Sequence, residues 1–103
     1  MTAYAKRFRN RVEADEENKN LSADAIAKQK TKDITLLERL MLELWYHWKT
    51  GGGHLDLVNV TLCAGSRRSD GKVPGVCWNN SGLDVGYCAP DLANDRIRFR
   101  SVI

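Results

Sequence analysis

His47, His54, Asp56, Cys63, Cys77 and Cys88 are the side chains of this chain that could hold a metal ion. Zinc sites draw their ligands from close pairs, C-x-x-C or H-x3–5-H, because two neighbouring ligands fix half the tetrahedron. No such pair occurs, and the gaps between cysteines are long and uneven, so no metal site is expected. Nucleophilic catalysis would need a Cys or Ser held beside a histidine base. The atoms are present, but no local motif such as a nucleophile elbow positions them. His47, one helical turn after Glu43, reads as a boundary histidine. The cysteines read as inert thiols. An enzyme is the least supported class, and no cofactor is expected.

Basic residues offer a second chemistry. Arg96, Arg98 and Arg100 alternate with Ile97, Phe99 and Ser101, which would place three guanidiniums on one strand face. Their spacing of roughly 6.6 Å could follow a phosphate backbone. Arg67, Arg68 and Lys72 could extend such a patch. The net charge is only +3, from 16 basic and 13 acidic side chains, and no RNP-like aromatic pattern accompanies the arginines. A solvated face whose charges discourage edge pairing is the favoured reading of the row. The third chemistry is recognition of a macromolecule. Residues 66–95 are rich in Gly, Ser, Asn, Asp and Arg around Trp78 and Tyr87. Aromatic anchors among small adaptable polar residues are the composition of binding loops, although ordinary turns share it.

The elements that would carry these residues divide at Thr50. All eight glycines and both prolines follow it, so the front half reads as helix and the back half as strands and turns. A length of 103 residues fits one domain with a modest core, and 43% hydrophobic with 28% charged residues is ordinary for a globular protein. No apolar run approaches the ~18 residues of a membrane span. Lys6, Arg7, Arg9 and Arg11 precede no apolar stretch, and Glu13, Asp15, Glu16 and Glu17 follow at once. Neither a secretory signal nor a transit peptide fits, and a cytoplasmic location is expected. Free thiols are expected there.

The clearest helix spans 33–49. Ile34, Leu37, Leu40, Met41, Leu44, Trp45 and Trp48 recur at steps of three and four, one apolar stripe that should face the core. Asp33 could cap it, or Thr35 with Glu38 as a capping box. Lys49 and Gly51–Gly53 supply its stop. Leu36, Leu42 and Tyr46 fall off the stripe, so something besides the sheet could cover this helix, and a homodimer through residues 34–48 is one candidate. A shorter helix should run from an Ser22 cap to about Lys30, with Leu21 and Ile26 as a hydrophobic staple. Residues 13–20 read as a solvated link. Tyr4, Phe8 and Val12, spaced four apart among basic residues, could form a short basic amphipathic helix for a partner or an anionic surface, although a frayed terminus is the better expectation.

From Leu55 the period becomes two. Strands are expected at 55–63, 73–78, 83–88 and 96–103, with turns at 66–71, 79–82 and 90–95. They should form an antiparallel meander against the long helix, an α+β domain over 21–103 with residues 1–20 as a charged, flexible lead. In the hairpin, Trp78 should pair with Leu83, Val76 with Val85 and Pro74 with Tyr87, an apolar face turned toward the helix. Val73, Gly75, Cys77, Asp84, Gly86 and Cys88 take the other face, where they serve no evident packing purpose. Cys77 and Cys88 then lie about 13 Å apart, too far for a disulfide.

The run Cys63–Arg67, Ser69–Gly71, Val73–Pro74, Val76, Trp78 and the ending Arg98, Arg100, Val102 resembles the carboxy-terminal variable regions of small proteins diversified by phage and microbial retroelements. The resemblance covers the last forty residues and carries over no named functional residue. It implies a fixed framework with outward positions given over to ligand binding. The expected function is therefore a small non-enzymatic module that binds a protein partner. Its surface would be Arg67, Arg68, Lys72, Cys77, Asn79, Asn80, Asp84 and Asp91. A nucleic-acid module using Arg96, Arg98 and Arg100 is the alternative, as is a phage or mobile-element inhibitor docking on a host complex.

Overall fold

The computed structural model describes residues 8–9, 11–28, 33–80 and 82–101. Tyr4, the end of the first helix near Lys30, and Val102 with Ile103 lie outside them. Helix α1 spans Ala23–Lys28. Ser22 caps it as expected, its Oγ accepting from the Ala25 amide at 3.1 Å, and Leu21 packs on the same cluster as Ile26. Helix α2 spans Leu36–Thr50. Of the two candidate caps, Thr35 is the one used: its hydroxyl accepts from the Glu38 amide while the Glu38 carboxylate accepts from the Thr35 amide. Gly51 ends the helix at φ +71°, a left-handed cap that glycine adopts without steric cost.

The direction in which α2 faces is a correction. Its buried residues are Glu38, Arg39 and Glu43, with Leu36, Leu42 and Tyr46 half-buried beside them. The stripe of Leu37, Met41, Leu44, Trp45 and Trp48 points into solvent. Only Ile34, just ahead of the helix, is fully buried, and Leu40 is half-buried. Periodicity shows which residues share a face; it does not show which way that face turns. Here the ground beneath the helix is polar and selects the charged side.

Four strands follow: β1 (Val60–Leu62), β2 (Val73–Asn79), β3 (Gly82–Cys88) and β4 (Ile97–Arg98). The β2–β3 register is the one the sequence predicts, with Trp78 opposite Leu83, Val76 opposite Val85 and Cys77 opposite Asp84. The sheet order is β3-β2-β1-β4, with β4 parallel to β1 and the other pairs antiparallel. The α+β architecture therefore stands, while the simple meander does not: after β3 the chain crosses to the far side of β1.

β1 is also shorter than the expected strand 55–63, because the backbone donors ahead of it are claimed elsewhere. The Asp56 amide bonds the Val12 carbonyl at 2.8 Å, and the amides of Leu57, Val58 and Asn59 all donate to the Glu13 carboxylate. Asp56 itself sits at φ +56°, off the extended region. The 13–20 segment is accordingly no solvated link: Asp15 and Asn18 are buried. The Asn18 amide donates to the Phe99 carbonyl at 3.0 Å, and the Ser101 amide donates to Asp15.

Apolar side chains form two clusters on opposite faces of the sheet. On one, Ala23 and Ile26 of α1 meet Leu62, Val73, Ile97 and Phe99. On the other, Ile34, Cys63 and Val76 pack with Leu36, Leu42 and Phe8. The hairpin face thought to lack packing logic is thus partly core. A Cβ at Gly75 would lie 3.1 Å from Val60 Cγ1 and 3.2 Å from Cys88 Sγ, so glycine leaves the room these neighbours occupy. Among the described residues, no helix is long and apolar enough to cross a membrane.

Candidate functional site

The polar centre of the molecule lies under α2. Asp56 is fully buried and receives Arg39 Nε at 3.1 Å, Arg100 Nη2 at 3.0 Å and the Ala14 amide at 2.8 Å. The Thr61 hydroxyl also donates to it. Arg39 reaches on to Glu43 at 3.0 Å, and Glu43 accepts from the Leu55 amide and contacts His54 Nδ1 at 3.0 Å. Arg100 closes the cage by donating to the carbonyls of Arg11 and Val12, both at 2.9 Å. Every strong acceptor here is matched by a donor of the same chain. The cage ties the amino-terminal segment, α2, β1 and the carboxy-terminal segment together, and Arg39, Asp56 and Arg100 at its centre are at most 1% exposed.

The thiols and histidines fit no nucleophilic arrangement. Cys63 is buried beside Ile34 and Val76, and burial pushes its thiol up to about 12, the reverse of an activated thiolate. Burial likewise raises Cys88 and Cys77, the latter helped by Asp84. His54 stacks on Trp78 at a centroid distance of 3.4 Å and on His47 at 4.9 Å. Trp78, expected in the core, is half-buried in this stack. Among the described residues, no three His, Cys, Asp or Glu side chains come together as a metal-binding group.

The predicted binding residues are placed on one hairpin but at its two ends. Arg67, Arg68 and Lys72 are exposed in the loop entering β2, and Asp91 is exposed in the loop leaving β3. Asn79 and Asn80 stand at the hairpin tip, six strand steps or about 20 Å away. Cys77 and Asp84 face each other between them. The arginine row does not form as drawn. Arg100 is 1% exposed, consumed by Asp56. Arg96 donates to the Val58 carbonyl at 3.0 Å, and Arg98 to the Asp95 and Ala14 carbonyls.

The chain matches no known family description, no curated protein and no solved structure.

Among the described residues, apart from Leu57, Val58 and Leu92, the exposed large apolar side chains fall on two surfaces. β3 is an edge strand, exposed along Leu83–Tyr87, with Leu83, Val85 and Tyr87 in a row on the α2 side of the sheet. The sequence places this row against the helix, but α2 packs over β2 and leaves it uncovered. The second surface is the outward stripe of α2. The sequence did carry a signal for it: apolar residues on both sides of one helix, more than one buried face can use.

Arg68 links the loop to the edge strand. Its guanidinium lies 4.4 Å over the Tyr87 ring and pairs with Asp70 at 2.5 Å. That hydrogen bond, with one from the Lys72 amide, holds the Asp70 carboxyl down to about 2. We expect Asp70 to titrate near that value by carboxyl carbon NMR, and Arg68→Ala to return it toward 3.8. Because the folded value is depressed, the pair steadies the loop above pH 3.8 and releases it as pH falls through about 2. A titration unchanged by Arg68→Ala would show that the guanidinium is not its cause.

Proposed function

We propose that this chain is a non-enzymatic protein-binding module whose hairpin takes an extended segment of its partner as an added strand along β3. The observation that carries the reading is the uncovered edge: five consecutive exposed residues with a hydrophobic row at every second position. A free edge offers backbone donors and acceptors for affinity, and alternate side chains give specificity. Proteins normally blunt such an edge with Lys, Pro or a covering loop. β3 carries neither Lys nor Pro; Asp84 is its one charged residue, and the loop covers only its Tyr87 end, where Arg68 lies over the ring. Arg67, Arg68 and Lys72 at one end, and Asn79 and Asn80 at the other, flank the strand and would read the partner's side chains. The resemblance to retroelement-diversified variable regions is in keeping with this role, as is an inhibitor docking on a larger complex. The nucleic-acid alternative loses support from the engagement of Arg96, Arg98 and Arg100 within the chain.

The test is selection from a random-peptide display library on the full chain, with counter-selection on Val85→Lys. Recovered peptides should alternate apolar residues, lose at least about tenfold in affinity for the variant, and hold their affinity at high salt. Peptides that bind Val85→Lys equally well, or binding that collapses with salt, would overturn the strand-addition reading.

A further inference from the structure

We infer that the outward face of α2 is a self-association surface, pairing antiparallel with α2 of a second copy of this chain about a two-fold axis. The proposal goes beyond the hairpin reading and does not depend on it. Its first support is spacing. Leu37, Met41, Leu44 and Trp48 are separated by four, three and four residues, the seam by which one helix interlocks with another, and Trp45 flanks it. A seam of this kind is more specific than a merely apolar patch, because knobs at these steps stay in line with a facing helix along its length.

The second support is area. Leu37 is 62% exposed, Met41 60%, Leu44 71% and Trp48 79%. With Trp45, these side chains present on the order of 700 Å², close to the ~800 Å² that each partner buries in a standard interface and above the largest apolar patch of a typical monomer. The third support is charge. A two-fold interface meets its own image, so any excess of one sign repels itself. Glu38, Arg39 and Glu43 are turned inward, which leaves Lys49 as the charged residue on the exposed part of α2, lying 5.7 Å over the Trp45 ring. One cation is also too few for an anionic lipid surface, which recruits helices flanked by several Lys or Arg. With the axis between Met41 and Leu44, Met41 meets the partner's Leu44 and Leu37 meets the partner's Trp48. The antiparallel arrangement also sets the two helix dipoles side by side and opposed, each amino-terminal end beside the partner's carboxy-terminal end.

Sedimentation of the full chain tests this with the variants Met41→Glu and Leu44→Lys. Both sites are exposed, so each variant should keep the wild-type circular dichroism. The wild type should sediment as a dimer, and each variant alone should raise the dissociation constant by at least about 100-fold, because it buries an unpaired charge. An equimolar mixture of the two should dimerise again, since the acidic and basic replacements meet across an antiparallel seam. A wild-type monomer at concentrations on the order of 100 μM, a dimer indifferent to both substitutions, or a mixture that stays monomeric would each overturn the proposal. Peptide binding on β3 reports separately: Val85→Lys should leave the dimer intact, and Met41→Glu should leave peptide binding intact.

Discussion

Asp56→Asn is expected to remove about 3–5 kcal/mol of folding stability, the cost of leaving buried charges without their counterion. The substitution isolates the charge, because asparagine has the same shape and tolerates the φ of +56° that this position requires. In the wild type one carboxylate serves Arg39 and Arg100 at 3.0 Å each, together with the Ala14 amide and the Thr61 hydroxyl. With the carboxylate gone, Arg39 keeps Glu43, while Arg100, 1% exposed, is left with a hydroxyl and two carbonyls and no counterion. Burial already pushes the Asp56 carboxyl above its ordinary value, against the pull of Arg100 and Arg39, and pushes the Arg100 guanidinium down. The cluster is thus a costly arrangement that holds only with all members present. It follows that adding Arg100→Met to Asp56→Asn should recover part of the loss, since the guanidinium left without a counterion is removed while Arg39 keeps Glu43. Urea unfolding at neutral pH measures both. A loss below about 1 kcal/mol in the single variant, typical of an exposed ion pair, would show that water reaches the site.

This cluster also explains what the sequence concealed. Local rules were legible: the Ser22 cap, the Thr35–Glu38 box, the Gly51 stop and the full β2–β3 register depend on residues close in the chain. The burial side of α2 depends on Asp56, seventeen residues after Arg39, and on Arg100, a further forty-four away. No spacing announces such a pairing. An apolar stripe is read as core because burial is the usual way to stabilise it, and that inference failed where the chain put carboxylates and guanidiniums beneath the helix. The strand ends were obscured for a similar reason: Glu13 captures the amides of residues 57–59 from forty-four to forty-six positions away. Of the candidate site, the sequence marked the loops and the alternation in β3; that β3 is an uncovered edge is a property of the sheet order alone.

Phe99→Ala should cost about 3–5 kcal/mol, the transfer term of the ring plus the cavity it leaves. Phe99 is 1% exposed and closes the cluster that joins α1 to the sheet through Ala23, Ile26, Leu62, Val73 and Ile97. Relaxation into the cavity is restricted, because the Phe99 carbonyl is held by Asn18 and the neighbouring Arg100 by Asp56. Trp48→Ala removes a larger side chain, yet at 79% exposure it should change the stability of the monomer by no more than about 0.5 kcal/mol. The comparison belongs in the Leu44→Lys background, where self-pairing cannot contribute to Trp48. Thermal unfolding would then separate the two by roughly 4–8 °C for each kcal/mol of difference, as usual for a domain of this size. The order of the two effects is the reverse of the order of side-chain size, and it follows from which way each apolar surface faces. A Trp48→Ala loss as large as that of Phe99→Ala in this background would mean that α2 packs its stripe inward within one chain, and would remove the physical basis for pairing between copies.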